Sequence, residues 1–419
     1  MNGVFAALAL ATIVQSGALA HGGNYFIAAD NASPTAAVDL WFRAPDAGYG
    51  TPVPGLSRVA ATAAAAAKLE SGKSLAEIVA QRGGRLTIEV FPDIVGVGVV
   101  VPASDVRVVI ASLTAAYFSP SIDEAALHSG QSDATVLAVQ QQYETGALEH
   151  AMLFAQLFAD GPAHQPPIPF SAADIGRITL DDVTSFAHRA FRASNAYLTL
   201  AGNVDGDDLS VVTDGSGPGA ADVPVDSTVA RAAPQPVDQA GEVPGIGIAW
   251  VGPPISDERA ATALDFVSDY LFRPGTGIVA HDLMQSNARI DVGGQFITLH
   301  DPGVMLVTLE GSNDAHLQTQ ILAAVAAMTQ PLPAQAFARA REAFLYHLSD
   351  DTQTAEEQAA NLGWYAAEGA PAYVPGGSEY ESVARSLDPE YVASVVRRYL
   401  TQPAVVRITP QALPSGASS

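Results

Sequence analysis

The chain has 419 residues and a formal net charge of −24, which comes from 44 acidic and 20 basic residues. This length favours two or three domains, and an apolar fraction of 48% is sufficient for a large buried core. The negative field would repel DNA or RNA, and no Lys/Arg cluster offsets it, so we expect no nucleic-acid partner. There is no cysteine, which excludes disulfides, thiolate metal sites and a cysteine nucleophile.

The first predicted element is an apolar segment at residues 1–20 that has features of a signal peptide. The run from Val4 to Val14 is apolar, and Ala18-Leu19-Ala20 has the small-x-small form of a signal-peptidase site. The run is shorter than the about 20 residues of a membrane span, and no later run reaches that length. We therefore expect export to the periplasm or the exterior of a bacterium and no stable membrane span. The alternative is a buried N-terminal helix.

The first half of the chain alternates between strand and helix patterns. The predicted elements are a strand at Ala36–Arg43, a Gly/Pro-rich loop at 44–55, an alanine-rich helix at Leu56–Leu69, a short helix opened by the capping box Ser74–Glu77, strands at Arg85–Val90 and Ile94–Val101, a helix at Val106–Tyr117, a mostly helical stretch at 123–158, a helix at Asp181–Phe191 and a strand at Ala196–Ala201.

The second half repeats this order after a segment rich in Gly, Pro, Asp and Ser. The repeat predicts a duplicated α+β unit with a linker at 205–243 between domains at 21–204 and 244–410, and a flexible tail at 411–419. Its predicted elements are strands at Gly247–Val251, Ala288–Val292, Gly303–Gly311 and Ala404–Ile408, and helices at Asp257–Phe272, Asp314–Met328, Gln335–Leu348, Thr354–Ala367 and Asp388–Leu400.

Several short segments resemble the M16B branch of the M16 (insulinase/pitrilysin-type) metallopeptidases. They are Gly55-Leu56 at the start of a helix, the Gly83-Gly84 turn, Tyr117-Phe118-Ser119-Pro120, the stretch from Leu180 to Asn195, and Ala201-Gly202-Asn203-Val204. The resemblance covers most of residues 25–410. It implies duplicated domains of the LuxS/M16 metalloenzyme type, each with an antiparallel-rich sheet and helices packed on one face.

The resemblance also locates a zinc motif that this chain has lost. Active members carry His-x-x-Glu-His, in which two histidines at i and i+4 bind zinc and the glutamate activates a metal-bound water. The matching positions are Arg58, Ala61 and Thr62. The distal carboxylate ligand would fall near Val136 to Ala138, where no carboxylate exists. We therefore predict no catalytic residue, no metal and no cofactor at this site.

Other candidate residues lack the spacing that a site needs. The family's substrate-holding Arg and Tyr of the second domain are missing from 283–292, although Arg289 lies nearby. Glu149 and His150 are sequence neighbours that point about 100° apart on a helix, and we interpret them as solvated. The remaining histidines are scattered and are interpreted as surface or capping residues.

What the resemblance implies is a non-catalytic M16B-like subunit, a pseudoenzyme that binds a peptide or unfolded polypeptide. M16B members often work as pairs, so the expected partner is a zinc-bearing M16B homologue in a heterodimer. Any peptidase activity would come from that partner. The alternatives are a stand-alone exported binding or scaffold protein on the same fold, and an active metallopeptidase with a relocated site.

Overall fold

The structure is a computed structural model of the whole chain. It describes residues 14–20, 22–44, 53–91, 93–158, 171–213, 236–286, 289–300, 302–374 and 377–410. Within these ranges, no helix combines the length and the apolar character that crossing a membrane requires.

The N-terminal half contains a six-stranded sheet with the strand order β1-β2-β6-β3-β5-β4. Strands β2 and β6 are parallel, and the other neighbouring pairs are antiparallel. Its strands are β1 (Val14–Ala18), β2 (Asn24–Ala29), β3 (Thr35–Arg43), β4 (Arg85–Val90), β5 (Ile94–Pro102) and β6 (Ala196–Gly202).

The C-terminal half repeats the topology of strands β2 to β6. Its five-stranded sheet has the order β7-β11-β8-β10-β9, with a parallel pair between β7 and β11. Each strand of this order matches the strand at the same place in β2-β6-β3-β5-β4, which confirms the predicted duplication. Its strands are β7 (Val237–Gly241), β8 (Gly245–Val251), β9 (Asp291–Ile297), β10 (Val304–Glu310) and β11 (Ala404–Pro410).

The described helices follow local sequence signals. Ser74, Thr179 and Thr354 each cap a helix with a side-chain oxygen that accepts the amide of the third helical residue. The first half contains α1 (Leu56–Ala66), α2 (Leu75–Gln81), α3 (Val106–Phe118), α4 (Glu124–Gln141), α5 (Thr145–Leu157), α6 (Ala172–Ile175) and α7 (Leu180–Ala190); the second contains α8 (Glu258–Phe272), α9 (Ile278–Ser286), α10 (Ala315–Ala327), α11 (Ala334–Asp350), α12 (Ala355–Ala367), α13 (Ser378–Ser386) and α14 (Pro389–Tyr399).

Each sheet buries one face under the helices of its own half and the other face under one helix of the opposite half. In the first half, α1, α3, α4 and α7 share a core with Val38, Leu40 and Phe42 of β3. Helix α12 covers the opposite face of that sheet, where the hydroxyl of Thr199 donates to the carbonyl of Ala359 at 2.9 Å. Helix α5 covers the corresponding face of the second sheet. This exchange of helices ties the two halves together.

Glycines allow the exchanged helices to lie close to the sheets. A Cβ atom at Gly247 in β8 would lie 2.8 Å from Cδ1 of Leu153 in α5. A Cβ atom at Gly363 in α12 would lie 2.0 Å from Cδ1 of Trp41 in β3. Any larger residue at either glycine would push helix and strand apart, because interiors are close-packed and have little room to adjust.

The predicted fold class is confirmed, and some local details differ. The stretch at 123–158 is two helices: α4 packs on α1 in the first half, and α5 packs on the second sheet. The predicted linker at 205–243 includes β7, which pairs with β11. Val14–Ala18, which we assigned to the signal peptide, forms β1 at the sheet edge. Cleavage after Ala20 would remove β1 and leave β2 at the edge. The domain boundaries and the signal peptide stay predictions.

Candidate functional site

Helix α1 carries all three positions of the degenerate zinc motif. Its N-cap is Gly55, whose φ of 84° lies in the left-handed region that favours glycine. Arg58 and Thr62 are partly exposed, whereas Ala61 is fully buried. The hydroxyl of Tyr117 donates to the carbonyl of Ala61 at 2.8 Å. Arg58 and Thr62 therefore face solvent and α4, whereas Ala61 faces the core.

Small residues bring α4 against this face of α1. A Cβ atom at Gly130 of α4 would lie 2.5 Å from the carbonyl oxygen of Val59, so only glycine fits there without a shift. Asp133 lies three residues later on the same helix. Close approach of the two helices therefore brings the Asp133 carboxylate to Arg58 and Thr62.

An ion pair occupies the positions at which the resemblance predicts a degenerate zinc motif. Oδ2 of Asp133 accepts from Nε of Arg58 at 3.0 Å, and Nη2 of Arg58 lies 2.9 Å from the same oxygen. The hydroxyl of Thr62 donates to this oxygen at 3.2 Å. Both guanidinium nitrogens contact one carboxylate oxygen, and the Asp133 side chain is 42% exposed, so solvent screens this charge-assisted contact.

The same guanidinium also reaches the edge of the first sheet. Nη1 of Arg58 donates to the carbonyl of Ile88 in β4 at 2.6 Å. Strand β4 is the outermost strand on that side of the sheet. Arg58 therefore connects the former motif face of α1 to a backbone acceptor of an edge strand.

The structure places a carboxylate opposite the motif positions that the sequence analysis did not identify. We expected no carboxylate opposite the motif because we placed that position near Val136 to Ala138. The carboxylate that faces Arg58 and Thr62 is Asp133, one helical turn earlier on the same face of α4. The side chain of Val136 is 54% exposed, and Ala138 is buried. Gly130 was the sequence signal for close helix packing that could have located Asp133.

The residues at the motif positions do not fit a zinc ion. Arg58 is a permanent cation and would repel a divalent metal, and the hydroxyl of Thr62 is a poor zinc ligand. The carboxylate that contacts these side chains, Asp133, already binds Arg58. Across the part of the chain that the structure describes, no group of three or more His, Asp or Glu side chains could hold a metal.

Our interpretation of Glu149 as a solvated residue was wrong. Glu149 is fully buried where α5 crosses the second sheet, and within the described structure neither carboxylate oxygen has a hydrogen-bond partner. Burial raises its pKa to about 9, and the charge of Glu310 adds to this. The side chain is therefore a neutral acid at pH 7.

The ring of His150, the next residue of α5, is also shielded from solvent. Burial lowers its pKa to about 4, and its ring stacks on Phe154 with centroids 4.7 Å apart. The ring is therefore neutral at pH 7. Glu149 and His150 point in different directions and have separate environments, which does not favour a shared metal or catalytic role.

Two other histidines have defined partners. Nδ1 of His347 lies 2.9 Å from Oδ1 of Asp269, and Nδ1 of His300 lies 2.8 Å from the carbonyl oxygen of Glu368. Both rings are partly buried, and His300 caps the C-terminal end of α12, which is one of the two placements, surface or capping, that we expected. His21 and His164 lie outside the described residues. Arg289 lies between α9 and β9, and residues 287–288 beside it are likewise outside the described ranges.

The chain matches a family model for part of its length. Residues 177–344 match the Peptidase M16 inactive domain. This part of the chain is therefore similar to the M16 family, in the domain that the family model describes as inactive. The matched segment begins just after α6, includes four of the five strands of the second sheet (β7 to β10) and ends within α11. No curated protein matches the chain.

Solved structures share the M16 fold over nearly the whole chain. A protease from Helicobacter pylori has a TM-score of 0.81 at 15% identity, covering 95% of this chain and 100% of the other. An M16-like peptidase from Alicyclobacillus acidocaldarius has a TM-score of 0.80 at 13% identity, covering 95% and 98%. A peptidase M16 inactive domain from Pseudomonas fluorescens has a TM-score of 0.77 at 17% identity, covering 96% and 99%. At these identities the likeness concerns the fold.

Proposed function

We propose that this M16 homologue is a non-catalytic, M16B-type subunit that binds peptide and pairs with a zinc-bearing M16B homologue. The observation that carries the proposal is the Arg58–Asp133 ion pair, which occupies the motif face of α1 in an otherwise complete M16 fold. Retention of both halves without the metal chemistry is consistent with a role in binding and positioning, which contributes to catalysis even when the positioning groups do not react.

The edge strand β4 supports the proposal of peptide binding. It lies at the end of the first sheet beside α1, and edge strands present backbone donors and acceptors to which an extended peptide can add. Arg58 already binds the carbonyl of Ile88 in this strand. A peptide that paired along β4 would therefore compete with Arg58 at that carbonyl and would bind close to the former zinc position.

One structural neighbour with this fold belongs to a larger assembly. A chain of Complex III2 from Candida albicans has a TM-score of 0.76 at 12% identity and covers 95% of this chain and 96% of that one. That chain is part of a multisubunit complex. We extend this to a heterodimer for the present chain, in an exported location as the segment 1–20 suggests. A stable complex would bury about 1,200 Å² or more.

Co-expression with a zinc-bearing M16B homologue from the same organism tests the proposal. We expect size-exclusion chromatography to give one mixed species that cleaves insulin B chain faster than the zinc-bearing chain alone. The matched control is the same mixture with the first motif histidine of the zinc-bearing chain changed to alanine, which should assemble and remain inactive. Separate elution at micromolar concentration with unchanged activity would contradict the proposal.

A further inference from the structure

Two carboxyl groups meet where the end of α12 lies against the first half. Asp93 lies in the turn between β4 and β5, and Glu368 is the C-cap residue of α12. Glu368 has no solvent exposure, and Asp93 is 5% exposed. Trp41, Phe91 and Trp364 surround this end of α12, which keeps the environment apolar.

The side chains of Asp93 and Glu368 lie next to each other. They lie within hydrogen-bonding reach of one another. Within the described residues, Oδ1 of Asp93 and both carboxylate oxygens of Glu368 have no hydrogen-bond donor. Two ionised carboxylates cannot remain in contact in such a site, since each also loses its hydration there. A single proton between them removes one charge and supplies the missing donor.

The charged groups around the pair also bind the end of α12. Nε of Arg43 donates to the carbonyl of Ala367 at 2.5 Å, and Nδ1 of His300 lies 2.8 Å from the carbonyl oxygen of Glu368. Burial is the largest effect on the pKa of both carboxyl groups, and the positive charge of Arg43 opposes it at both. Tyr197 packs under Arg43, and Asp301, next to His300, lies outside the described residues.

We infer that Asp93 and Glu368 share one proton and thereby form a pH-sensitive latch that holds the end of α12 in the second half against the β4–β5 turn of the first. Burial raises the pKa of Asp93 to about 6 and raises the pKa of Glu368 well above its ordinary value. The folded state thus keeps a proton that the unfolded state has lost. The pair holds one proton from about pH 6 upward, and the latch is released as the pH rises through the higher titration of the pair.

Hydrogen exchange measured by mass spectrometry tests the latch in the full-length chain. We expect peptides that cover the β4–β5 turn and the end of α12 to lose protection, after correction for intrinsic exchange, by about tenfold per pH unit above the titration. Glu368→Gln should abolish this dependence, because its amide donates permanently to the Asp93 carboxylate. Asp93→Asn should also abolish this dependence, because the new amide donates to the Glu368 carboxylate. It provides a second variant if Glu368→Gln folds poorly.

The control is Glu149→Gln, which removes a different buried acid and should leave the pH dependence of these peptides unchanged. Equal loss of protection in wild type and in both latch variants would overturn the inference. Loss of protection on addition of EDTA at pH 6 would also overturn it, because it would show that a cation holds the two carboxylates together.

Discussion

Oδ2 of Asp133 in α4 accepts from Nε of Arg58 in α1 at 3.0 Å, and the hydroxyl of Thr62 donates to the same oxygen at 3.2 Å. The resemblance to M16B peptidases predicts histidines at the positions of Arg58 and Thr62 in active members. The guanidinium thus supplies the positive charge and the hydrogen bond that the carboxylate would otherwise receive from a metal ion or water. This ion pair joins α1 to α4, so its role in the described structure is to hold the two helices together.

Restoring the two histidines should create a zinc site, because Asp133 supplies a third ligand. We expect Arg58→His with Thr62→His to bind about one zinc per chain, since His, His and Asp are a sufficient set with one position left open. Metal content after desalting, measured by inductively coupled plasma mass spectrometry, checks this.

The control for the engineered site adds Asp133→Asn to the two histidines and should lower zinc affinity by at least about tenfold. Equal zinc affinity in the double variant and in this triple variant would show that the carboxylate of Asp133 does not reach the metal. The double variant should not become a peptidase, because Ala61 leaves no general base.

The buried acid Glu149 should make stability fall as pH rises. Its pKa is raised from 4.5 to about 9 in the folded state, so between these values the folded state binds a proton that the unfolded state does not. The free energy of unfolding should therefore fall by up to about 1.4 kcal/mol per pH unit from this group. Glu149→Gln should remove that contribution, as measured by urea unfolding at pH 6 and pH 8.5.

Glu390→Gln, which changes an exposed carboxyl at the start of α14, is the control and should retain the wild-type pH dependence. A Glu149→Gln variant whose stability has the same slope with pH as wild type would mean that Glu149 is ionised in the folded protein.

The exchanged helix α12 should depend on the absence of a side chain at Gly363. A Cβ atom there would lie 2.0 Å from Cδ1 of Trp41, and we expect Gly363→Ala to lower the free energy of unfolding by about 1–3 kcal/mol through overpacking. The matched control is Gly146→Ala in α5, where the added atom meets only the flexible end of Glu310. Helix propensity should make the control neutral or more stable by up to about 1 kcal/mol.

Thermal or urea unfolding of both glycine variants checks this, and tryptophan fluorescence should report displacement of Trp41 in Gly363→Ala. Similar unfolding midpoints for the two variants would show that α12 does not lie against β3 as closely as described.

Periodicity and capping signals were sufficient to predict most elements. Ser74–Glu77 is one case, because a capping box is encoded within four residues and forms as predicted. Duplication was visible because the two halves repeat the order of strands and helices. Arg58, Ala61 and Thr62 all lie in a helix, as predicted, because they belong to one local segment.

The contacts that could not be predicted join residues far apart in the chain. Asp133 meets Arg58 only because α4 packs on α1, and one helical turn of uncertainty was enough to miss it. Glu149 was interpreted as solvated because the sequence of α5 does not show that the helix crosses to the other sheet. Glu149 lies one turn from Thr145 and one turn from Leu153, which are both buried. This spacing of four residues places Glu149 on the buried face of α5 and was the sequence signal for its burial.

Zinc content and hydrolysis of insulin B chain, measured on one purified preparation of the wild-type chain, test most directly whether an ion pair has replaced the metal site. We expect well under one zinc per chain after dialysis and no cleavage above a heat-treated control, because Arg58, Ala61 and Thr62 provide neither ligands nor a base. One zinc per chain that survives dialysis, with cleavage that a chelator abolishes, would contradict it.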